Sequence, residues 1–183
     1  GLSISKKLCE MMGGQMWAES EVGVKTKFYF TIKYEPAHDT FKIDPAKMES
    51  LKNKIALVVD DDETNRLIIS EMLTSWGLVV SEALDGIDAL EKIEKFKASG
   101  KYFDLIVLDL HMPRMQGEEV MDKIDSQVFQ NSSILINASK MEVGFQKLQN
   151  KGAKAFMLKP IKRNEFLQAV LRALGKLGVK KME

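Results

Sequence analysis

From Ile55 onward, short apolar runs rich in β-branched residues alternate with longer stretches whose apolar positions recur every three or four residues. Such alternation marks βα units around a parallel sheet, whose strands are apolar throughout and whose covering helices are apolar on one stripe. Five units can be counted. The pattern predicts strands over Ile55–Asp60, Leu78–Glu82, Phe103–Asp109, Ser132–Asn137 and Ala155–Leu158. It predicts helices over Glu63–Ser75, Gly86–Ala98, Gln116–Ser126, Met141–Lys151 and Arg163–Leu177. Leu67, Met72, Leu73 and Trp76 fall at helical spacing, as do Phe166, Val170, Leu171 and Leu174.

Residues 1–34 follow another pattern. A helix running through Leu2, Leu8 and Met12 stops at Gly13-Gly14, and two strand-like runs follow, Gln15–Glu19 and Thr26–Tyr34. In the second run Phe28, Phe30 and Ile32 alternate with Tyr29, Thr31 and Lys33, so a sheet with one buried face is expected. Below roughly 40 residues a chain rarely supports its own core, so this segment reads as part of something larger. Residues 35–53, with Pro36 and Pro45 among polar neighbours, read as a linker with a short helix at Pro45–Leu51. The expected organisation is therefore 1–34, a linker at 35–53, an α/β domain at 54–178 and a tail at 179–183.

Composition narrows the function classes. Apolar residues make up 45% and charged residues 29%, and 27 Lys plus Arg against 26 Asp plus Glu leave a net charge of +1. That balance carries no footprint for nucleic acid or a lipid surface. No apolar run approaches the roughly 18 residues of a membrane span, so no membrane contact by this segment is expected. The single cysteine, Cys9, lies on the apolar side of the first helix and reads as a packing residue in a reducing, cytoplasmic compartment.

The chemistry gathers at one edge. In an open parallel sheet, ligands bind outside the carboxyl ends of the strands, and the polar residues at those ends are Asp60, Asp61 and Asp62, then Asp109, Asn137 and Lys159. Two unit charges at about 4 Å interact by roughly 4 kcal/mol at an effective dielectric of 20. Four carboxylates facing one ammonium therefore need a cation, and carboxylates with backbone carbonyls suit Mg²⁺, commonly completed by phosphate oxygens. A carboxylate nucleophile can form an acyl phosphate, with metal and lysine offsetting the transferred charge. Structural readings stand beside these: Asp62 as a helix N-cap, Lys159 as a loop lysine, Met112 and Pro113 as turn and packing residues, His111 as loop material. Asp109, ending a seven-residue, largely apolar run, is costly to place without a partner.

Val58-Val59-Asp60-Asp61, Leu108-Asp109-Leu110-His111-Met112-Pro113 with Gly117, and Leu158-Lys159-Pro160-Ile161 resemble the receiver domains of two-component response regulators, over about 125 residues. The resemblance implies a flavodoxin-like (βα)5 fold with strand order 2-1-3-4-5. It implies a phosphoacceptor at Asp109, and Mg²⁺ held by Asp61, Asp109 and the backbone carbonyl of His111, with Asp60 acting through water. It also implies Lys159 pairing with the phosphoryl group, a cis Lys159-Pro160 bond, and a switch between the end of the fourth strand and an aromatic on the fifth, here Phe156. Asn137 stands where the family usually has Ser or Thr. An amide can still donate to a phosphoryl oxygen, while Ser139 lies past the strand end.

Gly1-Leu2-Ser3-Ile4, Lys6–Gly14, Trp17-Ala18-Glu19-Ser20 and Phe28-Tyr29-Phe30-Thr31 resemble the C-terminal end of the ATP-binding domain of a sensor histidine kinase, with Val24-Lys25-Thr26 where that family often has Gly-Ser or Gly-Thr. Together the two parts resemble the end of a hybrid histidine kinase. The resemblance implies phosphorelay: acceptance from a phosphohistidine of a histidine kinase or histidine phosphotransfer domain, readout through a protein surface, no nucleic acid, and no ATP use by these residues. A pseudo-receiver that switches without phosphate is the alternative raised by Asn137. An aspartyl phosphohydrolase would need a general acid near Asp109, for which His111 is the nearby candidate.

Overall fold

The computed structural model describes residues 2–34, 44–139 and 145–176. The chain divides into two units, Gly1–Phe41 and Lys42–Glu183.

In the first unit, helix α1 (Leu2–Met11) precedes an antiparallel hairpin of β1 (Met16–Glu21) and β2 (Lys25–Phe30). Trp17 and Tyr29, opposite one another in the ladder, stack with ring centroids 5.4 Å apart. Cys9 is buried, in keeping with a packing role. The predicted buried face is not covered among the described residues: Phe28, Phe30 and Ile32 are exposed, because the two strands and one helix described there offer no second layer to close over them.

The second unit opens with the short helix α2 (Pro45–Glu49), capped by the Asp44 carboxylate, which accepts from the Ala46 N–H at 2.9 Å. The five predicted βα units follow. The strands are β3 (Ile55–Val59), β4 (Val79–Ala83), β5 (Leu105–Asp109), β6 (Ser133–Ala138) and β7 (Ala153–Leu158). They form one parallel sheet in the order β4-β3-β5-β6-β7, which is the expected 2-1-3-4-5 arrangement. Helices α3 (Glu63–Ser75) and α8 (Arg163–Ala173) cover one face, where Ile69, Leu73, Phe166 and Val170 pack on Val58, Val107 and Leu135. Helices α4 (Gly86–Ala98), α5 (Gly117–Lys123), α6 (Ser126–Asn131) and α7 (Phe145–Asn150) cover the other, through Ala89, Ile93, Val120, Val128 and Leu148. Leu51, within the segment expected to be linker, is fully buried in the first of these clusters.

Three helices depart from the sequence pattern. The one expected over Gln116–Ser126 ends at Lys123, because Ile124 turns to an extended backbone, and a further helix not expected from the sequence, α6, follows, capped by the Asp125 carboxylate, which accepts from the Gln127 N–H at 2.7 Å. Helix α8 ends at Ala173, with Leu174 as its cap and Gly175 at φ +68°, the left-handed conformation that terminates helices. Leu177, the start expected at Met141 and the tail at 179–183 lie outside the described residues. In α3 the inward stripe is rotated by one residue: Leu67 is exposed and Arg66 is buried. Among the described residues no helix is long and apolar enough to cross a membrane.

Candidate functional site

The C-terminal ends of β3, β5, β6 and β7 bring the sequence-predicted residues to one place. Asp60 follows β3 and is fully buried, while Asp61 beside it is exposed. Asp109 ends β5 at 2% exposure. Carboxylate oxygens of Asp60, Asp61 and Asp109 lie within 4.8 Å of one another. Gly117, the first residue of α5, allows this loop to fold tightly: a Cβ there would sit 2.3 Å from the Asp109 carbonyl oxygen.

Lys159 reaches into the cluster from the end of β7. Its Nζ donates to Asp109 Oδ2 at 2.6 Å and to Asp60 Oδ2 at 2.9 Å. Its backbone N–H donates to the Ala138 carbonyl at 2.9 Å, and the Lys159-Pro160 bond is cis, as expected. The other oxygen of Asp60 accepts from the Asp62 N–H at 3.0 Å and from the Asn65 side-chain amide at 3.3 Å. Asp109 Oδ1 accepts from the His111 N–H at 3.4 Å.

One ammonium thus serves two buried carboxylates, with a third at the rim. Burial pushes the Asp109 carboxyl above its ordinary value, the neighbouring Asp60 adds to that, and Lys159 opposes without cancelling it. Burial works against charge on Lys159 too, but its hydrogen bonds to Asp109 and Asp60 outweigh it and hold the ammonium above its ordinary value. The excess of negative charge and the all-oxygen donor set suit a hard divalent cation.

Asn137 lies beside Asp109 in the β5–β6 ladder, and its backbone carbonyl accepts from the Leu110 N–H at 3.1 Å. Its side chain is 1% exposed, yet neither the amide nitrogen nor the amide oxygen has a hydrogen-bond partner among the described residues. Each such buried orphan costs about 1–3 kcal/mol. Phe156, one residue from the register partner of Asn137 on β7, is half-buried and packs with the cluster on the α4–α7 face of the sheet.

The remaining candidates sort as follows. Asp62 is the N-cap of α3, accepting from the Asn65 N–H at 2.8 Å. The His111 side chain is exposed, Met112 is buried, and Ser139 is exposed just past β6. Sequence reasoning passed over Asn65 and Arg66, which support the acidic loop from the first turns of α3. The signal available for Asn65 was its place three residues after an N-cap, where a side chain reaches back towards the preceding loop. A cleft of about 180 Å³ lined by Asn65, Ile68, Lys159, Pro160 and Ile161 opens beside this centre. A wider depression of about 330 Å³, lined by Ser81, Lys92, Phe96 and Phe103, lies away from it and has no convergent acid–base groups.

Comparison with known proteins gives a consistent result. The response regulator receiver domain matches residues 56–171. The chain is similar to the sensor protein EvgS of Escherichia coli (strain K12), 37% identical over 140 residues that cover 74% of this chain and 11% of that protein. It is similar to the autoinducer 2 sensor kinase/phosphatase LuxQ of Vibrio vulnificus (strain YJ016), 30% identical over 176 residues covering 93% of this chain and 20% of that protein. The chain thus spans a fifth or less of the length of these relatives. Among solved structures, it resembles a chain of the CheX-CheY-BeF3-Mg²⁺ complex from Borrelia burgdorferi, with a TM-score of 0.59 at 26% identity over 67% of this chain and 90% of that one.

Proposed function

The chain belongs to the response regulator receiver domain family, and from that premise we propose that Asp109 accepts a phosphoryl group from a phosphohistidine in a phosphorelay. The observation that carries this reading is the buried Asp109 carboxylate, paired at 2.6 Å with Lys159 and clustered with Asp60 and Asp61 at a strand-end crevice. An Asp109 oxygen attacks phosphorus, the bond from phosphorus to the donor imidazole nitrogen breaks, and the imidazole takes up a proton as it leaves. Lys159 offsets charge on the transferred group, and the Asn137 amide donates to one of its oxygens. Burial keeps water from the acyl phosphate.

The oxygen donors converging within 4.8 Å fit Mg²⁺. Asp61, Asp109 and the backbone carbonyl of His111 would hold it, Asp60 would act through water, and the bound ion would neutralise the phosphoryl oxygens during an in-line transfer. The similarity to a chain of the CheX-CheY-BeF3-Mg²⁺ complex from Borrelia burgdorferi supports that assignment.

The donor is a histidine kinase or a histidine phosphotransfer domain, in the cytoplasm, with the signal read by a protein surface and not by nucleic acid. Residues 1–34 are the end of a histidine-kinase ATP-binding domain. In support, the alignment with LuxQ runs over 176 residues, more than the 149 that follow position 34 could supply. Asn137 in place of a hydroxyl residue favours one second reading, a receiver-like module that switches without phosphate. The test is intact-mass measurement after incubation with Mg²⁺ and a small-molecule phosphodonor. Addition of one phosphoryl group, absent in Asp109→Asn, supports phosphoacceptance; an unmodified wild type leaves the second reading, and full labelling of the variant moves the site.

A further inference from the structure

We infer that Arg66 is a positioning residue for the cation site, holding the Asp60-Asp61 backbone in the conformation that directs both carboxylates into the crevice. The inference rests on the Mg²⁺-binding reading above and names a part of the site outside the acidic cluster itself.

Arg66 lies on the first turns of α3 and is 7% exposed. A guanidinium is rarely placed so deep without a full counterion. Its nearest carboxylate, Glu82 on β4, stands 3.6 Å from Nε, is itself 44% exposed, and makes no hydrogen bond to that nitrogen. The strong contacts go elsewhere: Nη1 donates to the backbone carbonyl of Asp60 at 2.9 Å and to that of Asp61 at 3.2 Å. These are consecutive carbonyls of the two residues whose side chains enter the cluster. Fixing both carbonyls fixes the ψ angles of Asp60 and Asp61, and with them the direction in which the exposed Asp61 presents its carboxylate. Asn65 and the Asp62 N–H bind the Asp60 carboxylate from the same helix turn, so α3 supports the loop at its backbone and at its side chain.

The inference makes a prediction of unusual sign. Removing a cation near a metal site strengthens metal binding if charge alone matters. Removing a positioning residue weakens it, typically by about tenfold or more. The experiment is Mg²⁺ titration of the full chain by calorimetry for wild type, Arg66→Met, Arg66→Lys and Glu82→Gln, with amide hydrogen exchange at Asp61 to Asn65 in metal-free protein. Expected are about tenfold weaker Mg²⁺ binding and faster exchange in Arg66→Met, a smaller loss in Arg66→Lys, and wild-type affinity in Glu82→Gln. Unchanged or tighter binding by Arg66→Met overturns the inference, as does an equal loss in Glu82→Gln, which would place the effect in the ion pair. If Arg66→Met fails to fold, Arg66→Lys decides: it keeps the charge, so unchanged affinity and exchange overturn the inference and weaker binding supports it. A wild type that binds no Mg²⁺ contradicts the metal reading instead, so the two failures are distinguishable.

Discussion

Lys159 Nζ lies 2.6 Å from Asp109 Oδ2, joining positions 50 residues apart into the one close ion pair that Asp109 makes among the described residues. The pair sits where β5 and β7 end, on either side of β6, and so depends on the register of three strands. Its geometry sets both the reactivity of the site and the stability cost of keeping it.

Replacing Lys159 with Met leaves Asp60 and Asp109 facing each other with no ammonium. With the lysine side chain 20% exposed, the loss should be about 2 kcal/mol, below the full penalty for breaking a buried pair. The lysine pKa is raised in the fold, so its contribution is complete below the ordinary value of 10.5 and disappears as pH rises through the higher folded value. Denaturant unfolding of both proteins without metal checks this. Their difference should be level from neutral pH to about 10 and shrink above it.

Asp109→Asn should have the opposite effect. The Asp109 carboxyl titrates above its ordinary 3.8 in the fold, so the native state favours the protonated form. Any stability it contributes is present below 3.8 and lost as pH rises through the folded value, leaving the ionised carboxylate as a liability at neutral pH. Without metal, the variant should melt above wild type at pH 7, and the two should converge in acid. A lower melting temperature for the variant at pH 7 would contradict this sign.

Asn137→Val removes both unpartnered amide atoms at nearly constant volume. Because each of the two orphans costs about 1–3 kcal/mol, the metal-free fold should gain about 2 kcal/mol in chemical denaturation. The same change should weaken retention of a phosphoryl mimic. Asn137→Thr, restoring a hydroxyl, should enlarge the response of Phe156 to that mimic in NMR spectra; an unchanged response would place the switch elsewhere.

Leu51→Ala tests how far the second unit extends. Leu51 is fully buried against the α3–α8 face of the sheet. Its truncation should destabilise the unit by about 3 kcal/mol, whereas a residue in an independent linker would change unfolding hardly at all.

The sheet was legible because its central strands β3, β5 and β6 are covered on both faces and read as apolar runs between amphipathic helices. Asp109, Asn137 and Lys159 were legible for a related reason, each being the first polar residue after such a run. What stayed hidden depends on contacts distant in sequence. The break between α5 and α6 turns on Asp125 capping a new helix where apolar periodicity continues through Val128. Leu67 falls at the helical spacing of an inward apolar stripe, yet it is exposed while Arg66 beside it is buried, with two loop carbonyls accepting from its guanidinium. The unpartnered amide of Asn137 is a property of its surroundings that spacing along the chain does not encode. Phe28 and Phe30 alternate as a buried face should, yet among the described residues of the first unit no layer covers them.

The central claim is that this crevice takes a divalent cation and then a phosphoryl group on Asp109. Titration of the chain with Mg²⁺ and then beryllofluoride, followed through backbone amide shifts, tests it most directly. The account expects Mg²⁺ to move Asp61 and Asp109, and beryllofluoride to move Asn137 and Phe156 only when Mg²⁺ is present. Spectra unchanged at both steps would contradict it and leave a receiver fold that signals without phosphate.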